Sequence, residues 1–392
     1  NTGEKHTIDG VEMEFVYVLD TEAPVEIMVW LPQLKAFCTA EDMTHNMHNL
    51  QTLRGAKVRN GLLWSKAVDT AIERYGDQVV VSFSTHHWPT WGNERIVDYW
   101  EAQRDMYRYL HDQTLHLANR GLTPDEIAEE MKLPASLASQ FNCRGYYGTL
   151  SHNVKAQYDL YFGWFNGNPT HLNPLPPSEL GSKYVEAIGG ADKVLEVAKA
   201  SYAKGEYRWV ATLLDNLVFA EPDNMEARQL LADTYTQLGY QAESGPWRNF
   251  YLTGARDLFK KDVPYTSKLI NDGVLAQMDM GTLLDYCAIQ LNGEKAAGKE
   301  AVININFTDT KEKVMLMLNN GVLNHRLDSQ DEKADLALEI AKMDFVKLFF
   351  GRTDLQTLLK TNKVRTTGNA QAMDVICSAY EPADPNFKIV LP

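Results

Sequence analysis

The sequence predicts a multidomain chain in which an α/β segment is followed by an all-α segment and then a small α+β segment. Its 392 residues exceed what one compact core holds, which suggests two or three domains. The hydrophobic pattern changes from short β-prone runs to helical spacing near residue 105, and back to alternation near residue 300. With 44% hydrophobic and 23% charged residues, the composition is that of a globular chain rather than a disordered or fibrous one.

Residues 1–105 carry the α/β signal. Val11–Leu19 (VEMEFVYVL) and residues 26–31 are runs rich in Val, Ile and aromatics, separated by Asp20, Thr21 and Pro24, and residues 36–40 offer a third strand. Residues 60–75 follow with Leu62, Leu63, Ala67, Ala71 and Ile72 spaced for one helix face. Residues 78–84 then read as a continuous apolar strand covered on both sides, ending at His86, His87 and Trp88. Polar residues beyond the end of a buried strand are where α/β proteins commonly place chemistry.

Residues 106–258 read as mostly helical. Thr123-Pro124-Asp125-Glu126 is a capping box with proline at the first helical position. Gly205 and Gly239 stand 34 residues apart with Ala211, Leu214, Ala220, Pro222, Ala227 and Leu230 between them, the period of a tetratricopeptide-like helix pair. One such unit is too short for a solenoid, so this segment is expected to bury its remaining apolar face on a partner. Residues 265–392 return to alternation at 301–307 (AVININF) and 313–318, with Asn319-Asn320-Gly321 as turn and Val322-Leu323 opening another strand. Helical stretches at 265–292, 343–348 and 354–359 surround them, giving a sheet with one face packed on helices.

Charge and cysteine usage exclude several classes. Lys and Arg total 38 against 52 Asp and Glu, and a net charge of −14 argues against a nucleic-acid partner. No apolar run reaches the roughly 18 residues of a membrane-spanning helix. Cys38, Cys143, Cys287 and Cys377 form no Cys-x-x-Cys pair, which excludes a cysteine zinc ribbon and a thioredoxin-type motif. The chain begins at Asn1 with no basic-then-apolar leader, so a removed leader or a start inside a longer gene product is expected.

The densest polar stretch is residues 39–59. His45, His48, Asn49 and Thr52 fall at helical spacing, so a helix here would present them on one face, with Arg54 close behind. Glu22 lies in a turn between two strands, Glu41 follows a third, and His86 closes a fourth. Carboxylates and imidazole gathered at neighbouring strand ends suit zinc or a similar divalent ion, although surface groups and a satisfied buried histidine give the same composition.

Several longer blocks carry a resemblance: AEDMTHNMHNLQTLRGAKVR, STHHWPTWGN, YRYLHDQTLHLANRGLTPDEIAE, CRGYYGTLSHNVKAQYDLYFGWFNGNP and LGYQAESGPWRNFYLTGA. Together they resemble the type III alkylsulfatases of the metallo-β-lactamase superfamily, over almost the whole chain and in order. The resemblance implies the C-terminal part of an αββα metallo-β-lactamase domain over residues 1–105, a helical dimerisation domain over 106–258, and a sterol-carrier-like domain over 265–392. It implies that Glu22, Glu41 and His86 are metal ligands of a binuclear Zn2+ centre, with Glu41 shared between the ions. It places Asn49 and Arg54 on the sulfate of an alkyl sulfate substrate, an Arg fork suiting a tetrahedral oxyanion, and brings Tyr147 and His152 toward the same pocket. The nucleophile would be a metal-activated water, with no catalytic side chain beyond it.

One departure stands out. The family's His-x-His-x-Asp-His loop, which supplies four further ligands, is absent from the ten histidines here. The chain is therefore expected to be the C-terminal portion of such an enzyme, partnered by an upstream segment of the same gene product. A homodimer through the helical domain and an exported (periplasmic or secreted) location are likewise expected from the resemblance. Competing readings are a related metallohydrolase acting on phosphate or carboxylic esters, and a non-catalytic dimeric lipid-binding protein.

Overall fold

A computed structural model describes residues 2–260, 271–384 and 386–392. They divide into two compact units, one of Asn1–Lys260 with Lys388–Pro392 and one of Lys261–Phe387.

The first unit opens with a mixed sheet in the order β1-β2-β3-β4-β5-β6. Strands β1 (Glu4–Ile8) and β2 (Val11–Leu19) pair antiparallel through Asp9-Gly10. Both turn residues have positive φ, as a tight two-residue hairpin requires. β3 (Val25–Leu31) pairs with β2 so that Val16 meets Met28 and Tyr17 meets Ile27. Val16, Val18, Met28 and Trp30 are thereby buried on one face, while Tyr17, Leu19, Val25 and Ile27 on the other remain 42–54% exposed.

β4 (Ala36–Cys38) runs parallel to β5 (Val81–Phe83), joined by helix α1 (Gly61–Tyr75), and β6 (Thr90–Trp91) closes the edge. The strand expected over residues 78–84 is shortened because the Gln78 and Val79 amides bond back to Tyr75 O at the end of α1. The buried stripe of α1 is also displaced from the expected one. Trp64, Val68, Ala71 and Tyr75 are buried, whereas Leu62, Leu63, Ala67 and Ile72 are not all turned inward. The aromatics decide it, since each buries more area than a leucine: Trp64 stacks on Tyr107 with centroids 4.6 Å apart, and Tyr75 lies 5.1 Å from both Trp30 and Phe37.

Helix α2 (Asn93–Ala118) runs straight through residue 105, and the core it shares with the sheet continues to Ala156. Helices α3 (Pro124–Glu130), α4 (Ala135–Ala138) and α5 (Leu150–Phe162) therefore pack with the sheet segment. The capping box at Thr123 forms as the sequence predicts, with Thr123 and Glu126 bonding each other's amides. Beyond Gly163 a second core forms from α6 (Pro177–Ile188), α7 (Ala191–Ala203), α8 (Tyr207–Ala220), α9 (Met225–Gln241) and α10 (Gly245–Asp257), joined by Val390 and Leu391. Gly239 allows close approach here, since a Cβ on it would lie 3.0 Å from Leu252 of α10.

The second unit begins with α11 (Asp272–Gln277), α12 (Met280–Ile289) and α13 (Gly293–Ala296). The single helix expected over 265–292 is thus divided, because Asp279 caps a new start by accepting from the Thr282 amide; residues 265–270 of that expectation lie outside the described residues. β7 (Ala301–Phe307), β8 (Lys313–Asn319), β9 (Val322–Leu327) and β10 (Leu336–Ile340) precede α14 (Lys342–Phe349) and α15 (Leu355–Lys360). β11 (Val364–Gly368) and α16 (Gln371–Cys377) follow, and the strand order is β11-β10-β7-β8-β9. Ile303, Ile305, Phe307, Leu316 and Leu338 pack on Leu283, Leu284, Phe345 and Phe349 in one core. Among the described residues, no helix is long and apolar enough to cross a membrane.

Candidate metal and anion site

Residues 39–60 are not a helix. Their backbone groups are satisfied by side chains from the surrounding helices, which removes the need for a helical ladder. Trp64 Nε1 donates to Asp42 O at 2.7 Å, Tyr99 OH to Met43 O at 2.7 Å, and Gln103 Nε2 to Asn46 O at 3.0 Å. The His48 amide donates to Tyr107 OH at 3.1 Å, and Asn153 bonds both Leu50 N and His48 O. The expected common face of His45, His48, Asn49 and Thr52 therefore does not exist. His45 instead stacks between Trp88 and Tyr99, at 5.0 and 4.8 Å, and bonds Thr90 Oγ1 at 3.0 Å, as a structural residue.

The loop delivers Glu41 into a pocket of about 370 Å³ walled also by His48, His86, His87, Tyr146 and Tyr147. Two non-glycine residues with left-handed backbone, Ala40 (φ 48°) and His87 (φ 71°), flank Glu41 and His86. Strain of that kind is tolerated where the surroundings fix a geometry. Glu41 meets His86 Nδ1 with Oε1 and stands 3.4 Å from His48 Nε2 with Oε2. The hydrogen bond from His48 is the main cause that holds the Glu41 carboxyl down to about 2. Glu22, Glu41 and His48 offer ligand atoms that all lie within 4.8 Å of one another.

The surroundings are rich in carboxylate. Glu26 Oε1 accepts the Glu41 amide at 3.1 Å, and burial pushes the Glu26 carboxyl up to about 7, with Glu22 and Glu41 adding repulsion. Asp42 and Thr21 are fully buried beside each other, and Glu26 Oε2 is buried without a partner. Burial, with Glu26 next, drives the Asp42 carboxyl well above its usual range. Against Glu22, Glu26, Glu41 and Asp42 stands the guanidinium of Arg59, bonded to Glu22. Glu22 and Glu41 with the imidazoles of His48 and His86 beside them make a donor set of the kind that fits divalent zinc.

The expected anion-binding residues gather on the neighbouring wall. Asn49, Arg54 and Tyr147 line a second pocket of about 400 Å³, together with Leu53 and, on α10, Phe250. Tyr147 lines both pockets, and its ring lies 4.8 Å from that of His48. Arg54 is exposed and follows a tight turn before Gly55, whose φ is +84°. His152 has a different role from the expected one. Its Nδ1 accepts from Trp247 Nε1 at 3.0 Å and its Nε2 lies 2.7 Å from Gln51 O, so both ring nitrogens are used in pinning the loop to α5 and α10.

Of the three expected metal ligands, Glu22 and Glu41 come together, and His86 reaches Glu41 from the exposed side. Sequence reading missed His48 as a partner of Glu41, along with Arg59, Glu26 and Asp42. The available signal was the charge density of residues 40–59 itself, which is too polar for a buried helix and so points to a loop that folds inward on specific partners.

Comparison with known proteins identifies the family. The model for alkyl sulfatase dimerisation matches residues 123–261, and that for the alkyl sulfatase C-terminal region matches residues 268–392. A linear primary-alkylsulfatase from Pseudomonas sp. is 45% identical over 100% of this chain and 58% of its own length. A second, from Pseudomonas sp. (strain ATCC 19151), is 32% identical over 96% of this chain and 73% of its own. The solved structure of the stereoselective inverting sec-alkylsulfatase Pisa1 from Pseudomonas sp. superposes with a TM-score of 0.96 at 40% identity, covering 100% of this chain and 62% of that one. The chain belongs to the alkylsulfatase family. It spans about three fifths of the length of the first of these relatives.

Proposed function

We propose that this protein hydrolyses alkyl sulfate esters of the dodecyl sulfate type to alcohol and sulfate, with a pair of zinc ions as cofactor. The observation that carries the reading is the position of Glu41. It lies between Glu22, His48 and His86 in a pocket whose wall, Tyr147, also borders the Asn49 and Arg54 pocket. Glu22, Glu41 and His86 would hold the metal. Bound zinc supplies a nucleophile at neutral pH and positive charge beside the ester. The resemblance assigns the remaining ligands to a His-x-His-x-Asp-His segment that this sequence lacks. The open sheet face of Tyr17, Leu19, Val25 and Ile27 suits the other half of an αββα sandwich.

The residues of this chain then bind and orient. Arg54 donates a planar fork to the sulfate oxygens and Asn49 adds its amide, while Leu53 and Phe250 offer apolar surface to the start of the alkyl chain. Positive charge placed where the bridging oxygen becomes negative is the main source of acceleration. The helical segment would form the homodimer, in line with the dimerisation model it matches, and the C-terminal unit would gather the apolar tail.

The test is turnover by the full-length protein of dodecyl sulfate, dodecyl phosphate and a dodecyl carboxylic ester. Preference for the sulfate supports the reading. Preference for either alternative ester would replace it with a related metallohydrolase, and no turnover of any of them would leave the lipid-binding role.

A further inference from the structure

Arg59 precedes α1 and is buried, its main chain fixed from two sides: its amide donates to Leu50 O at 2.8 Å, and its carbonyl accepts from Gln157 Nε2 at 2.9 Å. From that fixed point the guanidinium reaches three neighbours. Nε donates to Glu22 O at 2.5 Å and a terminal nitrogen donates to Glu22 Oε1. The other terminal nitrogen donates to Asn49 O at 2.8 Å, to Asn49 Oδ1, and lies 3.3 Å from His48 Nδ1.

His48 bridges Arg59 and Glu41 through its two ring nitrogens. Its Nδ1 lies 3.3 Å from the Arg59 guanidinium and 3.0 Å from Asn49 O. Its Nε2 stands 3.4 Å from Glu41 Oε2. A path of contacts therefore runs from Arg59 through His48 to Glu41, beside the direct bonds of Arg59 to Glu22 and Asn49.

Building on the metallohydrolase reading, we propose that Arg59 is a positioning residue that orients both Glu22 and Glu41 toward the metal pair and holds Asn49 toward the bound anion. It touches neither substrate nor metal. One rigid cation thereby sets the relative placement of the carboxylates and the anion site, which spacing along the loop alone leaves free. Outer-shell partners of this kind are typically worth about 10–100-fold in metal affinity or activity.

The experiment measures zinc affinity by competition with a chromophoric chelator, and kcat and KM separately for dodecyl sulfate, in the full-length protein. Arg59→Gln is expected to weaken zinc binding about 10–100-fold and to raise KM, with Arg59→Lys intermediate because a point charge cannot span three partners. His48→Gln, which keeps a donor and an acceptor, is expected to bind zinc more tightly than His48→Leu. A purely structural role lowers the melting temperature and leaves zinc affinity unchanged. Folded Arg59→Gln with wild-type zinc affinity and KM would overturn the proposal. If Arg59→Gln does not fold, equal zinc affinities of the two His48 variants would overturn it instead. Wild-type protein that takes up no zinc would defeat the metal reading as well, whereas normal wild-type zinc with unchanged variants defeats this inference alone.

Discussion

The Glu41 amide donates to Glu26 Oε1 at 3.1 Å, so the carboxylate at the centre of the proposed metal site rests on a second, partly buried carboxylate. Glu26 lies in β3, Glu41 just past β4, and the pairing of those two strands imposes the contact. The neighbours have opposite proton affinities: Glu41 is held down to about 2, chiefly by His48, and Glu26 is pushed up to about 7 by its burial.

This pairing predicts a pH dependence of stability for the metal-free protein. Glu26 has a folded pKa above its unfolded value, so its contribution is fully present below about pH 4.5 and is lost as pH rises through about 7. Glu41 has the opposite sign: its contribution is present above about pH 4.5 and is lost as pH falls toward about 2. Thermal melts in the presence of a chelator are expected to show Glu26→Gln more stable than wild type at pH 8, with the gain shrinking toward pH 4.5. A constant gain across that range would contradict the assignment.

Gly148 predicts a defect at the anion site that arises without touching a ligand. A Cβ at this position would stand 2.6 Å from His48 O and 2.7 Å from Asn49 N, both main-chain atoms that cannot swing away. Gly148→Ala is expected to cost about 1–3 kcal/mol of stability and to raise KM as Asn49 is displaced. Urea unfolding together with steady-state kinetics checks both. A variant unchanged in both would mean that the loop yields freely.

Arg54 predicts a binding effect. Charge-assisted hydrogen bonds are worth about 1.5–3 kcal/mol, so Arg54→Ala is expected to raise KM for dodecyl sulfate about 10–100-fold with a smaller change in kcat. Arg54→Lys is expected to restore only part, since one ammonium cannot meet two oxygens in a plane. Full rescue by lysine would show that charge alone matters there.

The strands with regular alternation were legible from the sequence because period and burial agree. Val11–Leu19 and Ala301–Phe307 occur at the boundaries read from the residues alone. β10 (LALEI) was not, since Ala, Leu and Glu favour helix; parallel pairing to β7 and antiparallel pairing to β11 override that preference. β1 escaped notice because its five residues are all exposed. At the site, Glu22, Glu41 and His86 were nameable from the resemblance, and Asn49, Arg54 and Tyr147 with them. The links from His48 and Arg59 were not, because they depend on a loop whose shape is set by Tyr107, Gln103, Asn153 and Gln157 far along the chain. His152 was misread for the same reason: its indole partner is 95 residues away.

The most direct measurement is an anomalous difference map at the zinc edge from crystals of the full-length protein. The account predicts two zinc peaks about 3.5–4 Å apart, with Glu41 bridging them and Glu22 and His86 each at a ligand distance of about 2.0–2.2 Å. Zinc bound elsewhere, or no zinc within reach of Glu41, would contradict it.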